Sequence, residues 1–378
     1  MSNHLALCEA ALPWAVETIE ALVRLESPTG EKAAVDACGR EVARLLGQFG
    51  GRVSVLAREA SGDHVLAEFG GGRRQVLLLG HIDTVWPVGE LKRRPLRREA
   101  DRLFGPGVFD MKAGIVLAML AIRRLQDSPS GSAGRVMLLL TSDEETGSAT
   151  SRSIIEDEAR RSEAVLVLEP PLPGGALKTA RKGCGEFHLR VTGRPSHAGI
   201  EPELGVSAIR ELARQILAIE ALQDPARGTT LSVGIVRGGT RGNVIPAEAE
   251  AIIDVRAATL DDADRVSRAM QALRPQIPGA ALSVTGGVDR PPFERTPAVE
   301  QLFRLAQDVA ADLGRTLGEG ATGGGSDGNF TAALHVPTLD GLGAIGAGAH
   351  GFDEHVEMSQ LPWRAALVAG LIGRILAR

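Results

Sequence analysis

Histidine and carboxylate side chains directly follow three apolar runs that the sequence predicts to be buried strands. The runs and the residues after them are 75–80 with His81 and Asp83, 135–141 with Asp143, Glu144 and Glu145, and 164–168 with Glu169. In open α/β sheets, ligands bind in the crevice outside the carboxyl ends of the strands. We therefore expect these side chains to meet at one rim, where Asp110 adds a carboxylate just before an apolar helix.

This concentration of carboxylates predicts a bound cation, because like charges repel unless a positive charge neutralises them. A single acidic residue after a strand is usually a helix cap or a solvated loop charge. Several at successive strand ends favour a shared site, and mixed nitrogen and oxygen ligands suit Zn²⁺ or a similar divalent ion. The scattered Cys8, Cys38 and Cys184 show no metal-ligand spacing and no disulfide framework, which favours a reducing, cytoplasmic location.

The elements that position these residues alternate between strands and helices up to about residue 178. This order predicts an α/β fold with a mixed, mostly parallel sheet flanked by helices. From 179 to 290 the order becomes β-α-β-β-α-β, which is the ferredoxin-like arrangement of a separate two-layer unit. We therefore predict a discontinuous domain made of 1–178 and 291–378, interrupted by an inserted α+β domain at 179–290.

Composition excludes several classes of protein. The 378 residues carry a formal net charge of −5, which argues against a nucleic-acid partner. The first 23 residues predict an amphipathic helix rather than a signal peptide, and no apolar run reaches the length of a membrane span. The glycine-rich loop 322–328 lacks the Lys-Ser/Thr of a nucleotide-binding P-loop.

Four motifs, taken together, resemble the co-catalytic di-zinc aminoacylase/carboxypeptidase family, peptidase family M20. They are 78–85 (LLGHIDTV), 107–112 (GVFDMK), 143–147 (DEETG) and 169–170 (EP). The resemblance extends over essentially the whole chain and is strongest to the glutamate carboxypeptidase branch. It implies a zinc-exopeptidase-like catalytic domain with an inserted lid and dimerisation domain.

The resemblance also implies a set of metal ligands for two Zn²⁺ ions per chain, with Co²⁺ or Mn²⁺ as substitutes. It implies that His81 and Glu169 bind one ion, Glu145 binds the other, and Asp110 bridges both. The last ligand is expected to be His350, four residues before Glu354, although His355 is a competing candidate. A cis peptide is expected after the bridging residue, at 110–111.

Catalytic roles follow from this ligand set. Glu144 is placed to take a proton from the nucleophilic water and pass it to the leaving amine. Asp83 is expected to accept the second ring N–H of His81 and so fix its tautomer. In the lid, the motif 193–199 (GRPSHAG) resembles one whose histidine, His197 here, reaches the metal site of a partner subunit and stabilises the oxyanion.

A substrate-binding set is implied in the same way, comprising Asn243, Arg256, Arg290, Gly324 and Ser326. The expected reaction is hydrolysis of an amide or peptide bond next to a free carboxylate, releasing a glutamate-like amino acid. Alternatives with the same metal site are an N-acyl-amino-acid deacylase and a dipeptidase; outside the enzymes, the alternative is a non-catalytic binding homologue. The partners expected are a small carboxylate-bearing substrate and a second copy bound through the lid, with no nucleic acid or membrane.

Overall fold

The computed structural model describes residues 2–126 and 134–377. The chain divides into two compact units. The first comprises Met1–Ala180, Arg295–Ala321 and Ser326–Arg378, and the second comprises Arg181–Glu294 and Thr322–Gly325.

Eleven helices and sixteen strands are assigned within the described residues. The helices are α1 (Ser2–Ala10), α2 (Leu12–Arg24), α3 (Lys32–Gln48), α4 (Glu90–Arg93), α5 (Ala113–Gln126), α6 (Arg152–Arg160), α7 (Ala208–Glu220), α8 (Leu260–Gln271), α9 (Pro297–Asp312), α10 (Gly328–Ala333) and α11 (Leu361–Leu376). The strands are β1 (Arg52–Leu56), β2 (His64–Gly70), β3 (Gln75–His81), β4 (Arg97–Glu99), β5 (Arg102–Phe104), β6 (Arg135–Thr141), β7 (Ala164–Val167), β8 (Leu177–Arg181), β9 (Gly183–Thr192), β10 (Thr230–Gly238), β11 (Glu248–Ala257), β12 (Ala281–Arg290), β13 (Glu319–Thr322), β14 (Thr338–Leu339), β15 (Gly346–Ala347) and β16 (His355–Glu357).

The first unit is built on a six-stranded sheet in the order β1-β2-β6-β3-β7-β14. β6, β3, β7 and β14 pair in parallel, whereas β2 pairs antiparallel with both β1 and β6. β3 is buried along its whole length, because a strand covered on both faces presents no polar side. The predicted mixed, mostly parallel sheet is confirmed.

Helices cover this sheet, as the sequence predicts. α5 and α11 pack against each other and against β3, and nearly every residue of both helices is buried. Ile155 of α6 and Phe330 of α10 pack with Leu77 and Leu79 of β3 in one apolar cluster. This packing makes β3 a rigid support for the residue at its carboxyl end.

The second unit is a four-stranded antiparallel sheet in the order β10-β11-β9-β12. α7 and α8 pack against its strands, and their apolar residues share one core with alternate residues of β9 such as Phe187 and Leu189. This is the predicted ferredoxin-like arrangement of two layers.

A second sheet of the first unit, in the order β15-β16-β5-β4, is absent from the sequence prediction. Its strands have only two or three residues, which is too short for a periodic pattern to be recognised. The loop between β15 and β16 carries His350. Across residues 2–126 and 134–377, no helix combines the length and apolar character that a membrane span requires.

Candidate metal centre

The carboxyl ends of β6, β3 and β7 meet at one edge of the central sheet. His81, the last residue of β3, lies opposite Thr141, the last residue of β6. A 3-10 turn at Glu144–Thr146 follows β6, and Glu169 lies two residues beyond β7. The parallel pairing of the three strands therefore brings these side chains to the same rim.

Five side chains form two groups that share one carboxylate. His81, Asp110 and Glu169 form the first, called here the His81 group, and Asp110, Glu145 and His350 form the His350 group; ligand atoms within each group lie within 4.8 Å of one another. The Nε2 atom of His81 is 3.2 Å from Asp110 Oδ1 and 3.3 Å from Glu169 Oε1. The Nε2 atom of His350 is 3.3 Å from Asp110 Oδ2 and 3.4 Å from Glu145 Oε2. Asp110 thus presents one oxygen to each group.

The geometry distinguishes the two C-terminal histidines. His350 reaches Asp110 from the loop between β15 and β16, and its side chain stays half exposed. The Nδ1 atom of His355 instead lies 2.7 Å from the carbonyl oxygen of Asp353, and its ring packs on Phe104. Of these two histidines, His350 belongs to a candidate ligand group among the described residues, and His355 does not.

Asp110 lies in a tightly held segment. Its peptide bond to Met111 is cis, as the resemblance implies. The buried Lys112 donates from Nζ to the carbonyl oxygens of Leu22 (3.0 Å) and Leu25 (2.7 Å) at the end of α2. This lysine therefore anchors the segment to a helix end, where a cation is favourable because the last carbonyl groups carry partial negative charge.

Glu354 holds the same segment from the other side, and its role was missed by the sequence analysis. Its buried carboxylate accepts the backbone N–H groups of Gly107 (2.9 Å), Phe109 (3.0 Å) and Asp110 (3.2 Å). It also accepts Nε1–H of Trp86 at 2.8 Å. Burial raises the pKa of Glu354, although these hydrogen bonds oppose the shift. The spacing of four residues from His350 was the only available signal.

Asp83 differs in detail from the prediction. The ring Nδ1 of His81 lies 3.0 Å from the backbone carbonyl oxygen of Asp83 and 3.5 Å from its carboxylate Oδ1. The carboxylate accepts Oγ1–H of Thr29 (2.8 Å) and the backbone N–H groups of Glu144 (3.4 Å) and Glu145 (3.2 Å). Asp83 therefore orients the imidazole mainly through its main chain, while its carboxylate holds the turn that carries Glu144.

Asp327 supports that turn from below and was also missed by the sequence analysis. Its buried carboxylate accepts Oγ1–H of Thr141 at 3.0 Å and Oγ–H of Ser148. These two residues lie on either side of the turn Glu144–Thr146. Both ends of the turn are thereby fixed to one buried group.

The electrostatics of the cluster favour positive charge. Burial lowers the pKa of His81, but its three carboxylate neighbours raise it well above the ordinary value overall. Hydrogen bonds to Asp110 and Glu145 raise the pKa of His350 to about 10. Although burial opposes ionisation, His350 and His81 hold the pKa of Asp110 well below its usual range.

The donor set fits divalent metal ions. Oε1 of Glu145 is buried and has no hydrogen-bond partner among the described residues, although a buried carboxylate oxygen normally has one. Carboxylates and imidazoles are ligands that Zn²⁺ and similar ions use. The shared Asp110, with one oxygen toward each group, suits a pair of ions.

The second unit brings His197 and Asn243 together. His197 pairs with Val244 in an isolated bridge, and the carbonyl oxygen of Asn243 accepts the N–H of Ala198 at 3.0 Å. The Nδ1 atom of His197 accepts the N–H groups of Gly199 (3.1 Å) and Ile200. These bonds place the proton of the neutral ring on Nε2, where it is a hydrogen-bond donor.

Arg256 and Arg290 lie on either side of Cys184 across three adjacent strands. Arg256 makes a bidentate contact with the Asp254 carboxylate, at 3.0 Å from Nε and 2.8 Å from Nη2, which raises the pKa of its guanidinium. Residues opposite each other in an antiparallel pair share a face of the sheet. The two predicted substrate-binding arginines therefore lie on one face of the sheet, one on each side of Cys184.

The glycine-rich loop carries two residues of the predicted substrate-binding set, one buried and one exposed. Ser326 is fully buried; its Oγ donates to Asp340 at 2.6 Å and accepts the N–H of Gly328. The hydroxyl of Ser326 is therefore committed to internal hydrogen bonds, and a role of this residue in substrate binding stays a prediction. Gly324 is exposed, and its carbonyl oxygen accepts Nη1–H of Arg181 at 3.1 Å.

The chain matches a known family of proteins, in agreement with this geometry. Residues 77–374 match the model of peptidase family M20/M25/M40. The chain belongs to this family. It is therefore a hydrolase of the metallopeptidase and amidohydrolase class, whose members act on peptides and small amides.

Two relatives are identical to this chain at about one third of the aligned positions. Carboxypeptidase G2 from Pseudomonas sp. (strain RS-16) is 33% identical over 368 residues, which is 95% of this chain and 89% of that protein. Succinyl-diaminopimelate desuccinylase from Acidiphilium cryptum (strain JF-5) is 33% identical over 383 aligned positions, covering 94% and 96%. These similarities support the class of reaction without choosing a substrate.

Solved structures agree with the fold. Aminopeptidase PepT from Bacillus cereus ATCC 10987 has a TM-score of 0.78 at 21% identity, covering 97% of this chain and 99% of that one. The YXEP protein of Bacillus subtilis, described as a dinuclear metal binding peptidase of the M20 family, has a TM-score of 0.69 at 17% identity, covering 98% and 99%.

Proposed function

We propose that this protein is a two-metal hydrolase that cleaves an amide or peptide bond next to a free carboxylate and releases a glutamate-like amino acid. The observation that carries the proposal is the pair of ligand groups sharing Asp110, with Glu144 beside the ligand candidate Glu145. Similarity to carboxypeptidase G2 over 95% of the chain supports a carboxypeptidase. Equal identity to a desuccinylase makes N-acyl-amino-acid deacylation the second candidate.

His81, Glu169 and Asp110 would hold one ion, and Asp110, Glu145 and His350 the other. Zn²⁺ is the ion we propose for both positions, with Co²⁺ or Mn²⁺ as substitutes, since similar ligand sets accept all three. When bound, such ions supply a water of lowered pKa and polarise the scissile carbonyl. The dinuclear metal binding of the YXEP protein supports a pair of ions here.

Glu144 acts as the proton carrier in this proposal. Its carboxylate takes a proton from the attacking water and returns it to the leaving nitrogen, which must be protonated before the amine can depart. The Asp83 carboxylate accepts the backbone N–H of Glu144 and of Glu145. It therefore fixes the position of the proton carrier relative to the proposed metal ligand beside it.

The lid residues would recognise the substrate. Arg256 and Arg290 flank Cys184, and guanidinium groups bind carboxylates through paired hydrogen bonds. A substrate carboxylate would compete with Asp254 for Arg256. Asn243 would donate a further hydrogen bond, and Nε2–H of His197 would stabilise the oxyanion in a partner subunit.

We also propose a homodimer formed through the lid. β10 is an edge strand, and Ile235 and Val236 on it are 41% and 54% exposed. An edge strand can pair with the same strand of a second copy about a two-fold axis. Light scattering should give twice the chain mass, and a monomer with full activity would contradict both the dimer and the action of His197 across it.

The central test compares two adjacent glutamates. Glu144→Gln should retain two metal ions per chain while kcat falls by about 10²–10⁴-fold, since only the proton carrier is lost. Glu145→Gln, the matched variant, should lose metal as well as activity. Metal content is measured by atomic emission and turnover on N-acetyl amino acids and dipeptides with varied C-terminal residues. Unchanged turnover of Glu144→Gln would contradict its role, and no hydrolysis by the metal-loaded wild type would favour a binding protein.

A further inference from the structure

A cavity of about 420 Å³ lies beside the candidate metal centre, within the first unit. It is lined by residues 28–31, by Thr84, Val85, Pro87 and Val88, and by Glu145 and Thr146. Its volume is in the range of pockets that bind small molecules, about 300–1,000 Å³. Since Glu145 belongs both to this cavity and to the His350 group, a substrate at the metal centre would extend into it.

The lining segments 28–31 and 84–88 are held to each other and to Asp83. Pro28 and Thr84 form a parallel bridge, and the N–H of Thr29 donates to the carbonyl oxygen of Thr84 at 3.3 Å. Oγ1–H of Thr29 donates to Asp83 Oδ2 at 2.8 Å. The cavity is therefore formed in advance of substrate binding, which reduces the entropy lost when a ligand is ordered in it.

The chemistry of the cavity favours uncharged, apolar groups. Val85 and Val88 are 42% and 61% exposed, so a ligand can remove their apolar surface from water. The charged residues on its lining, among those the structure describes, are the carboxylates Glu31 and Glu145. Lys32, the nearest cation in sequence, is paired with Asp36 and Asp63.

We propose that this cavity binds the acyl side of the scissile amide and selects neutral, apolar acyl groups over acidic ones such as succinyl. The inference rests on the proposed function, in which the released amino acid carries the free carboxylate. The lining, among the residues the structure describes, offers that acidic half no cation and presents the carboxylate of Glu31. The half that enters the cavity is therefore the acyl group. A succinyl group ends in a carboxylate and would be repelled by Glu31 in the same way.

The substrate test keeps glutamate constant and varies the acyl group. With Zn²⁺-loaded protein, kcat/KM for N-phenylacetyl-L-glutamate should exceed that for N-succinyl-L-glutamate by about ten-fold or more, as expected for a burial difference above 1.4 kcal/mol. Equal or greater hydrolysis of the succinyl compound would overturn the inference while leaving the proposed function intact. Hydrolysis of no acyl amino acid or dipeptide at all would overturn the proposed function itself.

A filled cavity gives an independent test. A Cβ atom added at Gly30, which lines the cavity, would meet nothing within 4 Å and needs no left-handed backbone. Gly30→Phe should therefore fold, and it should lower kcat/KM for the phenylacetyl substrate about ten-fold more than for N-acetyl-L-glutamate. Gly71→Phe, at an equally open glycine outside the cavity, is the control and should change neither value. Equal effects of Gly30→Phe on both substrates would contradict the acyl assignment.

A change of charge tests the selectivity directly. Val88→Arg places a cation in the cavity and should raise kcat/KM for the succinyl substrate about five-fold or more, because a guanidinium pairs with a carboxylate. Val55→Arg, at a valine of similar exposure on β1, supplies the same charge elsewhere and should leave the ratio unchanged. An identical response of the two variants would show that net charge, and not the cavity, sets the preference.

Discussion

The metal-ligand candidates of the first unit and the substrate-binding candidates of the second are held in contrasting ways. Asp110 is fixed through backbone hydrogen bonds to the buried Glu354, and His81 is fixed by Asp83. His197 and Asn243 lie in exposed loops joined through main-chain hydrogen bonds. The first arrangement surrounds Asp110 and His81 with polar groups, whereas the second leaves His197 and Asn243 facing solvent.

The difference corresponds to what each site must bind. A metal ion tolerates displacements of only about 0.5 Å in its ligands, and the surrounding polar groups are what maintain such positions. A substrate carboxylate can shift to meet an arginine on a loop or strand end. Substitutions at the metal-ligand candidates of the first unit should therefore remove metal and activity together, whereas those at the substrate-binding candidates of the second should alter KM at constant metal content.

The largest effect is expected at Asp110, the residue common to both ligand groups. Asp110→Asn should reduce bound metal from two ions to well below one per chain and lower kcat/KM by about 10³-fold or more, since both ions lose a charged ligand. Glu169→Gln, which affects the His81 group alone, should retain about one ion. Equal metal content in both variants, measured by atomic emission, would contradict the bridging assignment.

A smaller effect on metal binding is expected at Glu354, which holds the segment that carries Asp110. In Glu354→Gln an amide replaces a carboxylate that accepts three backbone N–H groups and one indole N–H, so a donor faces donors. Metal affinity should fall by about 10–100-fold, the usual cost of losing such a supporting group, and added metal should restore activity.

The control for this position is Glu357→Gln, three residues further along in β16. It removes a carboxylate of the same type and should leave the affinity for metal unchanged. A Glu354→Gln protein with wild-type metal affinity by competition with a chelator would show that the hydrogen bonds to 107–110 have no positioning role.

The sequence allowed some of this site to be predicted, for identifiable reasons. His81, Glu145 and Glu169 follow apolar runs whose parallel pairing is the common outcome for buried strands. The alternating pattern of β9 and the helical pattern of α7 similarly indicated the inserted α+β unit. His350 could be chosen only through resemblance, because it lies in a loop between strands of two and three residues.

The supporting residues could not be predicted, because their partners are far away along the chain. Glu354 and Gly107 are separated by 247 positions, and no local pattern indicates that they meet. Asp327 was inconspicuous in a glycine-rich loop, although it joins Thr141 and Ser148. The burial of Ser326 could not be predicted for the same reason, since its partner Asp340 becomes evident only in the fold.

In the second unit, the contrast is tested by conservative changes at Arg256 and Arg290. Arg256→Lys should raise KM for an N-acyl glutamate by about ten-fold, because lysine cannot make the bidentate contact. Metal content should stay at two ions per chain. Arg290→Lys should raise KM to a similar extent if the two arginines act on one carboxylate. Loss of metal in either variant would contradict the proposed difference between the two units.

The smallest effect is expected at Cys184, which lies between those arginines. Burial raises the pKa of its thiol, although Arg256 and Arg290 oppose the shift. Since only the thiolate reacts, alkylation by iodoacetamide should be slower than that of an ordinary exposed thiol and should accelerate as the pH rises. Cys184→Ala should keep two metal ions and kcat/KM within about two-fold of wild type, as expected for a substitution outside the reacting groups. A ten-fold loss, or rapid alkylation at pH 7 that substrate prevents, would instead make the thiol part of the substrate-binding surface and place a supported, chemically active group in the lid.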